Sequence, residues 1–282
     1  MPDSGSAVAA LVVTPKLKEF ATGLGRAFAG ALIFALPMLM TMEMWQLGFI
    51  MEPLRMALLL GLTLPLLVRL SRFEGFRETA ALSDDIADAL VAVAVAFVTV
   101  LAVLWFLGEL GPGMSLRELF GKVAVQMVPA SIGAMLAQNQ LGGEDGARRR
   151  PNTSYGGEIF LMVVGALFLS FSVAPTEEVV LIAYRLSATQ ELMLAGFTMV
   201  LMHGFVYGLE FGGTERPGPG EGFLSVFARF TIAGYAAVLL VSLYMLWTFG
   251  RTDGISWEEI LSTAIVLSFP GAIGAAVARL IL

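Results

Sequence analysis

Residues 27 to 51 read AFAGALIFALPMLMTMEMWQLGFIM, an apolar stretch interrupted by one charge, Glu43. About 20 apolar residues in a helix cross a hydrocarbon layer of about 30 Å, so this stretch predicts a membrane span. Runs of the same kind recur along the chain, at 26–50, 54–71, 86–107, 117–138, 157–183, 190–209, 224–248 and 258–281. The expected fold is therefore all-α, a polytopic membrane protein of about eight transmembrane helices whose first partner is the lipid bilayer.

Composition narrows the chemistry. The 282 residues are 57% hydrophobic and 14% charged, more apolar surface than a soluble core of this size buries. With no cysteine there are no disulfides and no thiolate ligands or nucleophiles, and one histidine cannot build a multi-histidine metal centre. No feature points to a cofactor or to nucleic acid. The net charge of −6 sits mostly in loops and says little about partners. AVAALVV near the start is too short to span and is broken by Thr14-Pro15, so no cleaved signal peptide is expected.

Eight spans sort the basic residues into two sets. One side collects Lys16, Lys18, Arg26, Arg69, Arg72, Arg77, Arg148, Arg149, Arg150, Arg216, Arg229 and Arg279, twelve against the five of Arg55, Arg117, Lys122, Arg185 and Arg251. The positive-inside rule then puts both termini in the cytoplasm of a bacterial inner membrane. Trp45, Trp105, Trp247 and Trp257 all fall at helix ends on the opposite side, where tryptophan prefers the interface.

The chain also resembles itself. Gly30-Ala31-Leu32 matches Gly165-Ala166-Leu167, Gly61-x-Thr63 matches Gly196-x-Thr198, and Trp105-x-x-Gly108 matches Trp247-x-x-Gly250. Ser115-x-x-Glu118 matches Ser256-x-x-Glu259, each a capping box opening a helix. Pro129-x-x-Ile132-Gly133-Ala134 matches Pro270-x-x-Ile273-Gly274-Ala275. The expected plan is a cytoplasmic tail (1–25), a four-helix repeat (26–138), a polar linker with three arginines (139–156) and a second repeat (157–282). An even number of spans per unit makes the repeats parallel. Small-residue faces such as Gly204-x-x-x-Gly208 allow close packing within one chain or in a homo-oligomer.

The same alignment pairs Thr41-Met42-Glu43 with Thr176-Glu177-Glu178. An acid inside hydrocarbon costs at least about 2.5–3.5 kcal/mol, so such residues usually face a protein interior or a water path. Pro37 and Pro175 precede the two elements and leave carbonyls without their helical donors. Carboxylates, threonine hydroxyls and freed carbonyls together suit a hard cation or a proton, so Thr41, Glu43, Thr176, Glu177 and Glu178 are the candidate ion site between the repeats. The alternatives are interfacial glutamates reaching water and a structural pair of hydrogen-bonded helices.

His203, Tyr207 and Glu210, spaced i, i+4 and i+7, share a helical face and form a candidate relay with Asp88; a histidine bonded inside the bundle is the plain alternative. Ser83, Asp84 and Asp85 suit a helix start, and Asp88, one turn deeper, is expected to pair with Arg69 or Arg72. Met38, Met40, Met42 and Met44 alternate across helix faces, which favours core filling over soft-metal binding.

TMEMW at 41–45 and PTEE at 175–178, with the paired Pro-x-x-Ile-Gly-Ala endings, resemble a family of bacterial integral membrane proteins classed only as a domain of unknown function. The resemblance covers the chain from about Gly25 onward. It implies a bacterial membrane protein whose signature acids are Glu43, Glu177 and Glu178, and it brings no activity with it. The leading functional expectation is a cation or proton channel or transporter. A second is a membrane enzyme, because TEEVVLIAYR resembles the Glu-Glu motif of glutamate intramembrane proteases; it departs in the spacing of Arg185 and in having only His203. A third is a non-catalytic sensor or assembly subunit.

Overall fold

The structure is a computed structural model that describes residues 15–74, 81–140, 154–207 and 227–281. These residues are all helical or in short turns, with no strand among them. The first half contains α1 (Pro15–Leu39), α2 (Met42–Ile50), α3 (Pro53–Glu74), α4 (Leu82–Phe106) and α5 (Leu116–Gln140). The second contains α6 (Tyr155–Val173), α7 (Glu177–Arg185), α8 (Ala188–Tyr207), a π-helical turn at Phe227–Ile232 running into α9 (Ala233–Thr248), and α10 (Trp257–Ile281).

Seven of the described helices are long and apolar enough to cross a membrane: α1, α3, α4, α5, α6, the π turn with α9, and α10. Eight were expected. The run at 190–209 does form α8, a 20-residue helix packed on α10, but its first turn carries Thr189, Gln190 and Glu191, and it falls outside that group. Two further differences concern the ends of elements. The runs at 26–50 and 157–183 each divide into a long helix and a nine-residue helix. Helix α1 also begins at Pro15, inside the stretch read as a tail.

Helix pairing within each half follows one plan. Helix α1 lies along α5 and α6 lies along α10; α2 crosses α5 and α7 crosses α10; α4 and α9 flank the pairs. Glycine permits the closest of these contacts. A methyl group on Gly30 would collide with the Gly133 carbonyl and the Ala137 side chain, and one on Gly165 with the Gly274 carbonyl and the Ala278 side chain. Gly48 of α2 likewise meets the backbone of Gly121 and Lys122. Apolar attraction between helices is weak in lipid, so such backbone contact carries the association.

The Trp-x-x-Gly elements close α4 and α9 in the same way. Gly108 and Gly250 take φ of +78° and +73°, the left-handed region glycine adopts without strain. Glu109 N–H then reaches the Leu104 carbonyl at 2.9 Å, and Arg251 N–H reaches that of Leu246 at 2.8 Å, the six-to-one bond of a Schellman cap. The Ser256–Glu259 capping box is reciprocal: Glu259 N–H reaches Ser256 Oγ at 3.3 Å, and Ser256 N–H reaches Glu259 Oε2 at 2.8 Å. In its partner element Glu118 N–H meets Ser115 Oγ at 3.2 Å, while the Glu118 carboxylate turns to Lys122.

Side chains join the halves. Phe34 meets Phe168 edge to face at 4.8 Å between ring centres, and the Arg69 guanidinium lies 4.9 Å over the Phe160 ring. Arg55 of α3 binds Asp253 in the turn before α10. A recess on this seam, between α3, α5, α6 and α9, has about 30 Å³ of free space, room for one or two waters and not for an organic substrate.

Candidate functional site

The decisive local feature is where the long first helix of each half stops. Pro37 has no N–H to offer the Ile33 carbonyl, and α1 ends two residues later at Leu39. Thr41 is extended, with φ −107° and ψ 132°, and is the N-cap of α2. In the second half α6 ends at Val173, Ala174 and Pro175 turn the chain, and Thr176, with φ −76° and ψ 151°, is the N-cap of α7.

Both threonines turn back on the helix they leave. Thr41 Oγ1 donates to the Met38 carbonyl and Thr176 Oγ1 to the Val173 carbonyl, each at 2.9 Å. Other side chains take up further exposed carbonyls: Trp45 Nε1 donates to Leu39 O at 2.8 Å, and Arg251 Nη2 donates to Pro175 O. Irregular backbone at membrane depth is tolerated only where such groups are satisfied or wet, and here two pairs of residues satisfy it.

This geometry answers why acids stand in so apolar a stretch. Glu43 and Glu178 are each the second residue of a short helix, and Glu177 is the first of α7. The N-terminus of a helix carries partial positive charge and favours a carboxylate there. The twenty residues from Phe20 to Leu39 already cover about 30 Å, a complete crossing, and α6 with nineteen covers nearly as much. By length alone this sets the carboxylates toward the far end of the crossing. Glu43 is half-buried and Glu177 and Glu178 are exposed. None of the three has an ion pair or side-chain hydrogen bond among the described residues, and no group of three or more His, Asp and Glu side chains gathers there as a metal site.

The end of the bundle that holds the breaks is strongly acidic. Its acids are Glu43, Glu52, Glu109, Glu118, Glu177, Glu178, Glu191, Asp253, Glu258 and Glu259, and its bases are Arg55, Arg117, Lys122, Arg185 and Arg251, ten against five. That balance of −5 accounts for nearly all of the chain's −6, which the sequence reading had treated as uninformative loop charge. One base is buried. Lys122 Nζ lies 3.3 Å from Glu109 Oε2 and 3.3 Å from Glu118 Oε1, with only 8% of its side chain exposed.

Of the expected relay residues, His203 and Asp88 lie toward the opposite end. His203 Nδ1 is 2.8 Å from Thr231 Oγ1 of the π turn, so the histidine is bonded within the bundle. The Tyr207 side chain and Glu210 lie outside the described residues. Asp88 is buried and sits 3.5 Å from Ser71 Oγ, whereas Arg72 Nε binds Asp85 at 2.9 Å and Arg69 stacks on Phe160. The alternating methionines separate as expected, with Met38 and Met44 buried and Met40 and Met42 exposed.

Sequence reasoning missed three groups. Glu158 and Arg279 form an ion pair at 2.9 Å, with 7% and 6% of their side chains exposed. Lys122 and Gln126 lie buried one turn apart on α5, a polar pair legible in the run at 117–138 and passed over. Arg55 and Asp253, 198 residues apart, offered no local signal at all.

The comparisons with known proteins agree with this membrane architecture. No curated protein and no solved structure matches. Residues 23–282, nearly the whole chain, match one family. The chain belongs to DUF2391, a family of integral membrane proteins of unknown function.

Proposed function

We propose that this protein moves protons or cations across a bacterial inner membrane, and that it does so as two parallel repeats, with α8 crossing as the eighth helix and both termini in the cytoplasm. The observation that carries the reading is the acid-rich end of the bundle that holds both helix breaks, with a charge balance of −5. A surface of one sign concentrates ions of the other and raises their rate of arrival. Glu43 and Glu178, set alike at the starts of α2 and α7, are the entry carboxylates in this reading, and the Thr41 and Thr176 oxygens lie beside them. The common pairing plan and the matched Schellman caps support the repeat.

Proteoliposomes test it. Purified protein should dissipate an imposed proton or cation gradient faster than empty liposomes do, and Glu43→Gln with Glu178→Gln should slow the dissipation. Leakage equal to that of empty liposomes, or a rate indifferent to both substitutions, would count against the proposal.

A further inference from the structure

Gln126 is fully buried in α5, and among the described residues neither its Nε2 nor its Oε1 has a hydrogen-bonding partner. An unpaired amide in an apolar interior is costly, and a bound water or ligand is a common way in which a fold satisfies it. Its level in the bundle follows from the contact of Gly30 with Gly133 and Ala137 across antiparallel α1 and α5. Gln126 lies seven residues before Gly133 and eleven before Ala137, which sets it beside residues 37 to 41, the end of α1 and its break.

Along the same face of α5, at steps of four, stand Glu118, Lys122 and Gln126. Glu118 is partly exposed at the acidic end, Lys122 is buried and bonded to it, and Gln126 lies about 12 Å below Glu118 at the rise of a helix. We propose that Glu118, Lys122 and Gln126 line a hydrated inlet that ends on a water molecule held by the Gln126 amide.

The chemistry selects water over an ion. A metal cation could take Oε1 but would face the Nε2 donor. An anion could take Nε2 but would face Oε1. A water molecule donates to Oε1 and accepts from Nε2, and so satisfies both. This deepens the transport reading, on which it rests only for what the inlet carries: a proton passed along water, not a dehydrated metal ion. In the second half the same steps along α10 are Glu259, Thr263 and Leu267, apolar at the depth of Gln126, so the inlet belongs to one half.

Radiolytic hydroxyl labelling of the whole protein, which oxidises side chains touching bound water, tests the site without transport. Met38, 1% exposed and level with Gln126, should oxidise several-fold faster than Met162, equally buried in the other half. Gln126→Leu should remove the difference and Gln126→Glu should keep it. Equal rates for Met38 and Met162 in the native protein overturn the proposal even if the leucine variant does not fold, as does a Met38 rate unchanged by Gln126→Leu. Fast Met38 labelling in a protein without flux in liposomes would leave the inlet standing and remove the transport reading alone.

Discussion

Arg55 and Asp253 clasp the two halves at the acidic end: Nη2 donates to Oδ1 at 2.7 Å and Nη1 to Oδ2 at 3.0 Å, while Nη1 also donates to the Trp247 carbonyl at 2.8 Å. The guanidinium is largely buried and the carboxylate is mostly exposed. Two parallel bonds hold the planar fork in register, which a lysine could not reproduce.

Because Asp253 is open to water, the clasp is worth little as a pair, about 1 kcal/mol or less. Asp253→Asn should lower the apparent melting temperature slightly, and less at high salt. Arg55→Gln should cost more, since it also removes the guanidinium's bond to the Trp247 carbonyl, which then keeps only the Gly250 N–H, and its stacking over the Trp247 ring. Equal losses from the two variants would refute this division of labour.

Glu158 and Arg279 present the opposite case, a pair shielded on both sides. Removing one partner strands a buried charge and should destabilise by about 3–5 kcal/mol. The double variant Glu158→Gln with Arg279→Met should recover much of that loss. Thermal unfolding in detergent of the two single variants and the double would show it, and a double variant worse than either single would contradict the account.

Gly108 and Gly250 should tolerate alanine poorly although the space around Gly108 is open. The left-handed backbone there penalises any side chain by about 1 kcal/mol. Gly61 and Gly196, also with open surroundings but without positive φ, should accept alanine with no loss of thermal stability. A similar response at all four positions would mean that backbone conformation is not what selects glycine.

Trp45→Phe keeps the aromatic volume at the first break and removes the donor to Leu39 O. Leaving that carbonyl unpaired should cost about 1–3 kcal/mol and loosen α2 from α1. Faster amide exchange across residues 39–45, with little change at residues 174–180, is the expected signature. An unchanged exchange pattern would mean that tryptophan is there for the membrane interface alone.

Much of this architecture was legible in sequence because bilayers impose length. Apolar runs located the long helices, and the Trp-x-x-Gly and Ser-x-x-Glu elements marked helix ends to within a residue or two. The breaks at Thr41 and Thr176 were harder. Pro37 and Pro175 announced a disturbance, but hydropathy continues through both, and a nine-residue apolar helix looks like the end of a span. The acids stood out in the sequence, but whether they lay within the apolar layer or at its surface was left open there, because hydropathy does not show that each begins a separate short helix. Gln126 was invisible for a different cause. A glutamine adds little to a hydropathy average, and only packing reveals that none of the described residues answers its amide.

The glycine crossings have a mechanical consequence. Gly30 on Gly133 and Gly165 on Gly274 bring main chain against main chain, so each half is stiff along its central pair. Across the seam the contacts are made by side chains: Phe34 on Phe168, Arg69 on Phe160, and Arg55 on Asp253 and the Trp247 carbonyl. Compliance is thereby greater across the seam than along either central pair, with the Arg55–Asp253 clasp as the tether that limits how far the halves can part.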